Sequence, residues 1–73
     1  MPVYSNKRGN SPITDYEIFD NAITIWFKGG KAYTYSYDGP AGKYHVDEMK
    51  TLAKNGIGLS AYITNNVKFD YDK

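Results

Sequence analysis

The chain has 73 residues, nine Lys and Arg against eight Asp and Glu for a net charge of +1, and no cysteine. A chain this short has room for one hydrophobic core, and without cysteine it can build neither a disulfide nor a thiolate-based metal or catalytic site. The near-neutral balance excludes the strongly basic surface of a dedicated nucleic-acid binder, so an anionic partner would have to be held by a local patch.

Eight tyrosines, three phenylalanines and Trp26 supply the bulk with which a small core is economically filled. No apolar run approaches the roughly 18 residues of a membrane span, and the opening MPVYSNKRGNSP lacks the hydrophobic stretch of a secretory signal. The expectation is a cytoplasmic protein with no membrane association.

In chain order, residues 1–12 are rich in Asn, Ser, Gly and Pro without hydrophobic period, and read as a flexible arm, apart from Val3 and Tyr4. Residues 13–73 read as a single domain. Ile13 to Phe19 alternates polar with apolar as a half-buried strand does, and ends at the turn pair Asp20-Asn21. From Ala22 to Lys28, Ile23, Ile25 and Phe27 share one face while Thr24, Trp26 and Lys28 share the other. Gly29-Gly30 then predicts a hairpin into a third strand, Lys31 to Tyr37, which Asp38-Gly39-Pro40 closes.

From Ala41 to Asn55 the period becomes helical, with Val46, Met49, Leu52 and Ala53 inward and Lys43, Asp47, Lys50 and Lys54 largely outward. Asn55-Gly56 is a helix stop. A second short helix is predicted at about Ser60 to Asn65, with Leu59, Tyr62 and Ile63 turned inward; Val67 to Tyr71 reads equally as a last strand or an extended tail. The fold class is therefore α+β: a small antiparallel three-stranded meander packed by one main helix and a second short helix towards the C-terminus.

The order of a strand Ala-Ile-Thr-Ile-Trp-Phe, a glycine turn, Tyr33-Thr34-Tyr35, a proline-started helix, and Gly56 followed by Leu59 and Ile63 resembles the KTSC domain. That module takes its name from the carboxy-terminal end of some lysyl-tRNA synthetases and also occurs as a stand-alone bacterial protein. The resemblance spans about residues 13 to 71 and implies the fold above, with an association with RNA through the link to a synthetase. Two departures accompany it: a few extra residues between Tyr37 and Gly56, and Thr64 at a place where the family tends to carry a basic residue.

The hairpin admits two registers. A two- or four-residue loop centred on Gly29-Gly30 would put Tyr33 and Tyr35 beside Trp26 as an outward ring platform; one extra residue near Gly30 or Lys31 would put them with Ile23, Ile25 and Phe27 in the core. The second register is favoured, because it leaves Thr34 and Ser36 in water and not beneath the helix. Trp26 faces outward in both. It either covers another element, through Tyr4 or through Phe69 and Tyr71, or makes a binding contact.

The candidate contact set for a nucleic acid or protein partner is Trp26 with Lys28, Lys31, Lys68 and Arg8, an indole and cations suited to stacking and phosphate attraction. His45, the sole histidine, reads as a surface or boundary residue, and Asp47 and Glu48 as solvated. The glycines match no phosphate-binding spacing. No metal, cofactor or catalytic residue is expected. The sequence leaves two functions open: an RNA-associated accessory module, or a protein-interaction module using the outer sheet face or a strand edge. A monomer is favoured.

Overall fold

A computed structural model of the chain describes residues 3–7, 9 and 11–72. Three antiparallel strands, β1 (Ile13–Phe19), β2 (Ala22–Phe27) and β3 (Ala32–Ser36), lie side by side in chain order. Helix α1 (Gly42–Asn55) packs on β2 and β3; α2 (Leu59–Tyr62) follows and runs directly into a π-helical stretch, Ile63–Val67. The α+β meander with one main helix and a short second one is the architecture expected from the periodicities.

Two local irregularities set which residues face inward. In β1, Ile13 is out of phase with Tyr16 and Ile18, and a bulge at Thr14 corrects this: Ile13 pairs with Phe27, whereas Tyr16 pairs with Ile25 and Ile18 with Ile23. In the second hairpin, the Phe27 N–H donates to the Lys31 carbonyl at 2.8 Å, which leaves Lys28, Gly29 and Gly30 as a three-residue loop. Gly29 and Gly30 have φ of 91° and 89°, a pair of consecutive left-handed steps open to glycine and strained for other residues. The odd loop places Ile25 opposite Tyr33, Ile23 opposite Tyr35 and Trp26 opposite Ala32. Tyr35 is accordingly 1% exposed. The register that would have displayed Tyr33 and Tyr35 as an outer ring platform is not adopted.

Ile13, Ile23, Ile25 and Tyr35 of the sheet meet Val46, Met49 and Ala53 of α1 and then Leu59, Ile63 and Val67. Gly56 ends α1 in the left-handed conformation, its N–H bonded to the Leu52 carbonyl at 2.9 Å. The C-terminal side of α1 is tied to β3 by Tyr37, whose hydroxyl donates to Asp47 at 2.5 Å while Lys50 lies over its ring and also donates to the Asp20 carbonyl.

Two sequence readings need correction, and one left open is settled. Residues 1–12, read as a flexible arm apart from Val3 and Tyr4, are fastened more widely than that where they are described. Tyr4 is 3% exposed within the core, its hydroxyl accepts the Leu59 N–H at 3.3 Å, its own N–H donates to the Thr14 carbonyl, and Lys7 N–H donates to the Gly56 carbonyl. The polar composition hid this because its partners lie far along the chain.

The second helix does not stop as an α-helix at Asn65: only Leu59–Tyr62 is α, and the π-helix continues to Val67. The Asn66 side-chain amide donates to the Tyr62 carbonyl at 3.1 Å, the acceptor that an α-helical backbone bond from Asn66 would use. Of the two readings left for Val67 to Tyr71, the strand is not formed; residues 68–72 run as an irregular tail, with the Asp72 N–H on the Thr34 carbonyl at 2.7 Å.

If Tyr4 is a core residue, Tyr4→Ala lowers unfolding stability by about 3 kcal/mol, as expected for removing a buried aromatic, and Tyr4→Phe by about 1 kcal/mol through the lost acceptor. Urea denaturation measures both; unchanged midpoints would mean that the arm carries no part of the core.

Candidate functional site

Near the loop end of the β2–β3 hairpin, the inner face of the sheet is covered by the π-helix and the tail. Between them lies a groove of about 270 Å³ lined by Phe27, Tyr33 and Tyr35 of the hairpin, Ile63 and Thr64 of the π-helix, and Lys68, Phe69 and Tyr71. The volume is close to the lower end of the range for small-molecule sites, room for one flat ring system. Tyr33 sits at its centre. Phe27 meets it edge-on at 5.7 Å between centroids, and Tyr71 lies tilted against it at 4.6 Å.

The polar character of the groove is sparse and mixed. Lys68 is exposed, with its ammonium 5.3 Å from the centroid of the exposed Phe69 ring. Lys28 and Lys31 are exposed at the hairpin tip, adjoining Phe27, and Asp70 is half-buried in the tail. The Tyr35 phenol is pushed up to about 12, chiefly by burial and further by the neighbouring Tyr33, Tyr71 and Asp70. The groove therefore keeps a neutral wall of rings with cations at its rim.

The sequence-derived contact set is divided by this arrangement. Lys68 lines the groove on the inner side of the sheet, whereas Lys28 and Lys31 are exposed at the hairpin tip next to Phe27 and outside the lining. Trp26 lies half-buried on the outer face, where its cross-strand neighbours are Ala32 and the carboxylate-bearing Asp15. Neither set of aromatics expected to cover it does so: Tyr4 is in the core and Tyr71 lies on Tyr33. Glu17 pairs with Thr24 on the same outer face, where Thr24 and Thr34 share a 2.8 Å hydroxyl hydrogen bond. Arg8 lies outside the described residues.

Phe27, Thr64, Phe69 and Tyr71 were missed by the sequence reading. The clustering of Lys68, Phe69 and Tyr71 was a visible signal, but only the hairpin register brings Phe27 and Tyr33 to it.

Other polar groups are engaged in structure. His45 is half-buried and shares a 2.6 Å hydrogen bond between Nδ1 and the Tyr62 hydroxyl, joining α1 to α2. The Tyr62 phenol is raised by burial first, then by Tyr44 and Glu48. Tyr37, ahead of Lys43, holds the Asp47 carboxyl below the usual range. A second hollow of about 250 Å³ lies by Tyr4, Asn6, Ser11, Gly58 and Ser60, and there Asn6 and Ser11 already bond each other in both directions.

Among the described residues no group of three or more His, Cys, Asp or Glu side chains is placed to hold a metal ion, and no helix is long and apolar enough to cross a membrane. The chain matches no family model, no curated protein and no solved structure.

Because Tyr35 holds its proton more tightly folded than unfolded, the native state binds the extra proton between pH 10 and 12 and stability falls as pH rises through that window. Urea titrations at pH 9 and pH 11.5 measure it, and in Tyr35→Phe this component of the alkaline loss disappears.

Proposed function

We propose that this is a small non-enzymatic module of KTSC type that holds an unpaired stretch of RNA, with one base against Tyr33 in the aromatic groove and the adjoining phosphates on Lys68, Lys31 and Lys28. The observation that carries the reading is the pair of rings Phe27 and Tyr33 in the groove, with the exposed Lys68 in its lining and Lys28 and Lys31 exposed at the adjoining hairpin tip. Stacking on aromatic rings tolerates any base, and lysines attract the backbone without reading sequence, which is the usual division of labour in single-strand binding. A net charge of +1 supports only a few phosphate contacts, so the binding would be weak and strongly salt-dependent. Of the sequence-derived set, Lys28, Lys31 and Lys68 keep their proposed role; Trp26 does not share this site.

The outer face supports a second reading. Asp15 and Glu17 stand beside Trp26 and Thr24, a combination that repels a polyanion and suits a basic polypeptide partner seated on the indole.

Titrating an eight-nucleotide oligouridine at low salt, followed by amide and aromatic NMR shifts, separates the two. Saturable shifts at Phe27, Tyr33 and Lys68, with the Trp26 indole unmoved, are expected. Tyr33→Leu, which keeps apolar bulk but removes the ring, weakens binding at least about fivefold, the low end of one stacked base. Lys68→Gln lowers the slope of log affinity on log salt by about 0.7. No saturable shift in the wild type would end the RNA reading.

A further inference from the structure

The ring surface of Tyr33 that a base would use is already occupied. Tyr71 lies on it at 4.6 Å with a 43° tilt, within the range of stabilising aromatic pairs. Tyr71 reaches that position because the tail is fastened at the next residue, where the Asp72 N–H donates to the Thr34 carbonyl on the outer edge of β3 at 2.7 Å.

The fastening is imperfect in a specific way. Asp72 Oδ1 is buried against Gly39 and has no hydrogen-bond partner among the described residues. A carboxylate oxygen taken out of water and left unpartnered opposes the docking that buries it. A side-chain methyl at residue 39 would collide with that same oxygen and would also press on Ser36 Oγ at 3.1 Å. Gly39 does not occupy the left-handed region, so its lack of a side chain is required there by the tail and not by its own backbone. The N–H groups of Asp70 and Asp72 and the packing of Tyr71 on Tyr33 and the core edge favour the docked tail, and the buried carboxylate oxygen of Asp72 disfavours it. An irregular segment held by so few contacts belongs to the class of elements that open before the rest of a fold.

Resting on the groove reading above, we propose that residues 70–72 form a releasable strap: Tyr71 stands in for the incoming base on Tyr33, so that tail docking and binding of a single-stranded nucleic acid exclude one another. The occupant of the opened groove is an unpaired base with its phosphate, and the docked tail lowers the apparent affinity by the fraction of molecules it closes.

Gly39→Ala tests this, since its backbone accepts alanine and its methyl collides with the docked position of the Asp72 carboxylate. Tyr71→Ser removes the competing ring by a different route. Ring-to-ring NOEs between Tyr33 and Tyr71 report docking without any ligand, and fluorescein-labelled eight-nucleotide oligouridine at low salt reports binding. The expected result is loss of the NOEs in folded Gly39→Ala, with affinity for the RNA raised at least about threefold in both variants. Loss of the NOEs with affinity unchanged or reduced would overturn the strap and make Tyr71 a fixed part of the groove wall. Where Asp72 turns aside and Gly39→Ala keeps the NOEs, Tyr71→Ser decides, and an affinity unchanged or reduced in that variant overturns the strap. Binding by neither the wild type nor either variant would remove the groove reading and the strap with it, whereas equal binding by all three sinks the strap alone.

Discussion

Everything distinctive about this small domain depends on a loop with an odd number of residues. Because side chains alternate across a strand, moving the pairing of β3 by one position transfers Tyr33 and Tyr35 bodily from one face of the sheet to the other. The loop Lys28-Gly29-Gly30 makes that choice with two left-handed glycines, and the choice is reinforced from both faces. Inside, Tyr35 fills the space beneath α1; outside, Thr34 meets Thr24 in a hydroxyl pair and is not buried against the helix. The same step that completes the core places Tyr33 beside Phe27 at the loop end of the hairpin, so core and groove are two parts of one row of side chains.

Charge then separates the two faces. The outer surface of β1 carries Asp15 and Glu17 directly opposite Trp26 and Thr24, while the exposed cations Lys28, Lys31 and Lys68 gather around the hairpin tip and the groove rim. A chain of net charge +1 can still present a locally positive rim, because exposed charges more than a Debye length of about 10 Å apart are largely screened from each other. The single tryptophan, which composition alone marks as the natural stacking residue, sits on the side less suited to a polyanion. Tyrosine and phenylalanine take its place on the other side.

The parts of the fold that follow local rules were legible. The alternation of Ile23, Ile25 and Phe27, the period of Val46, Met49 and Ala53, and the stop at Gly56 each depend on near neighbours, and each appears as read. The register was legible as a comparison of what each alternative leaves in water. What was hidden depends on partners distant in sequence: Tyr4 bonds Leu59 across 55 positions, and Asp72 returns to Thr34. Residues 3–7 and 68–72 are polar and irregular by themselves, and only the finished sheet and helices offer them places to dock. The groove was half visible for the same reason, since Lys68, Phe69 and Tyr71 form a cluster without a destination until Tyr33 is placed.

The departures from regular structure are not scattered through the molecule. The π-helical stretch Ile63–Val67, the Asn66 amide that takes a helix carbonyl and the buried oxygen of Asp72 belong to two neighbouring segments, the π-helix and the tail that closes the groove, and the close approach at Gly39 is where the turn after β3 meets that tail. A sequence selected for stability alone would remove such conflicts, because each sets a local preference against the global fold. An asparagine-free α-helix would continue regularly past Tyr62, and a tail without Asp72 would dock with no oxygen left unpaired. Local conflicts of this kind concentrate where a protein must change its contacts in order to work. Apart from the bulge at Thr14 and the glycine loop, the sheet and α1 obey the local rules, so the conflicts that serve no register lie along the groove's far wall.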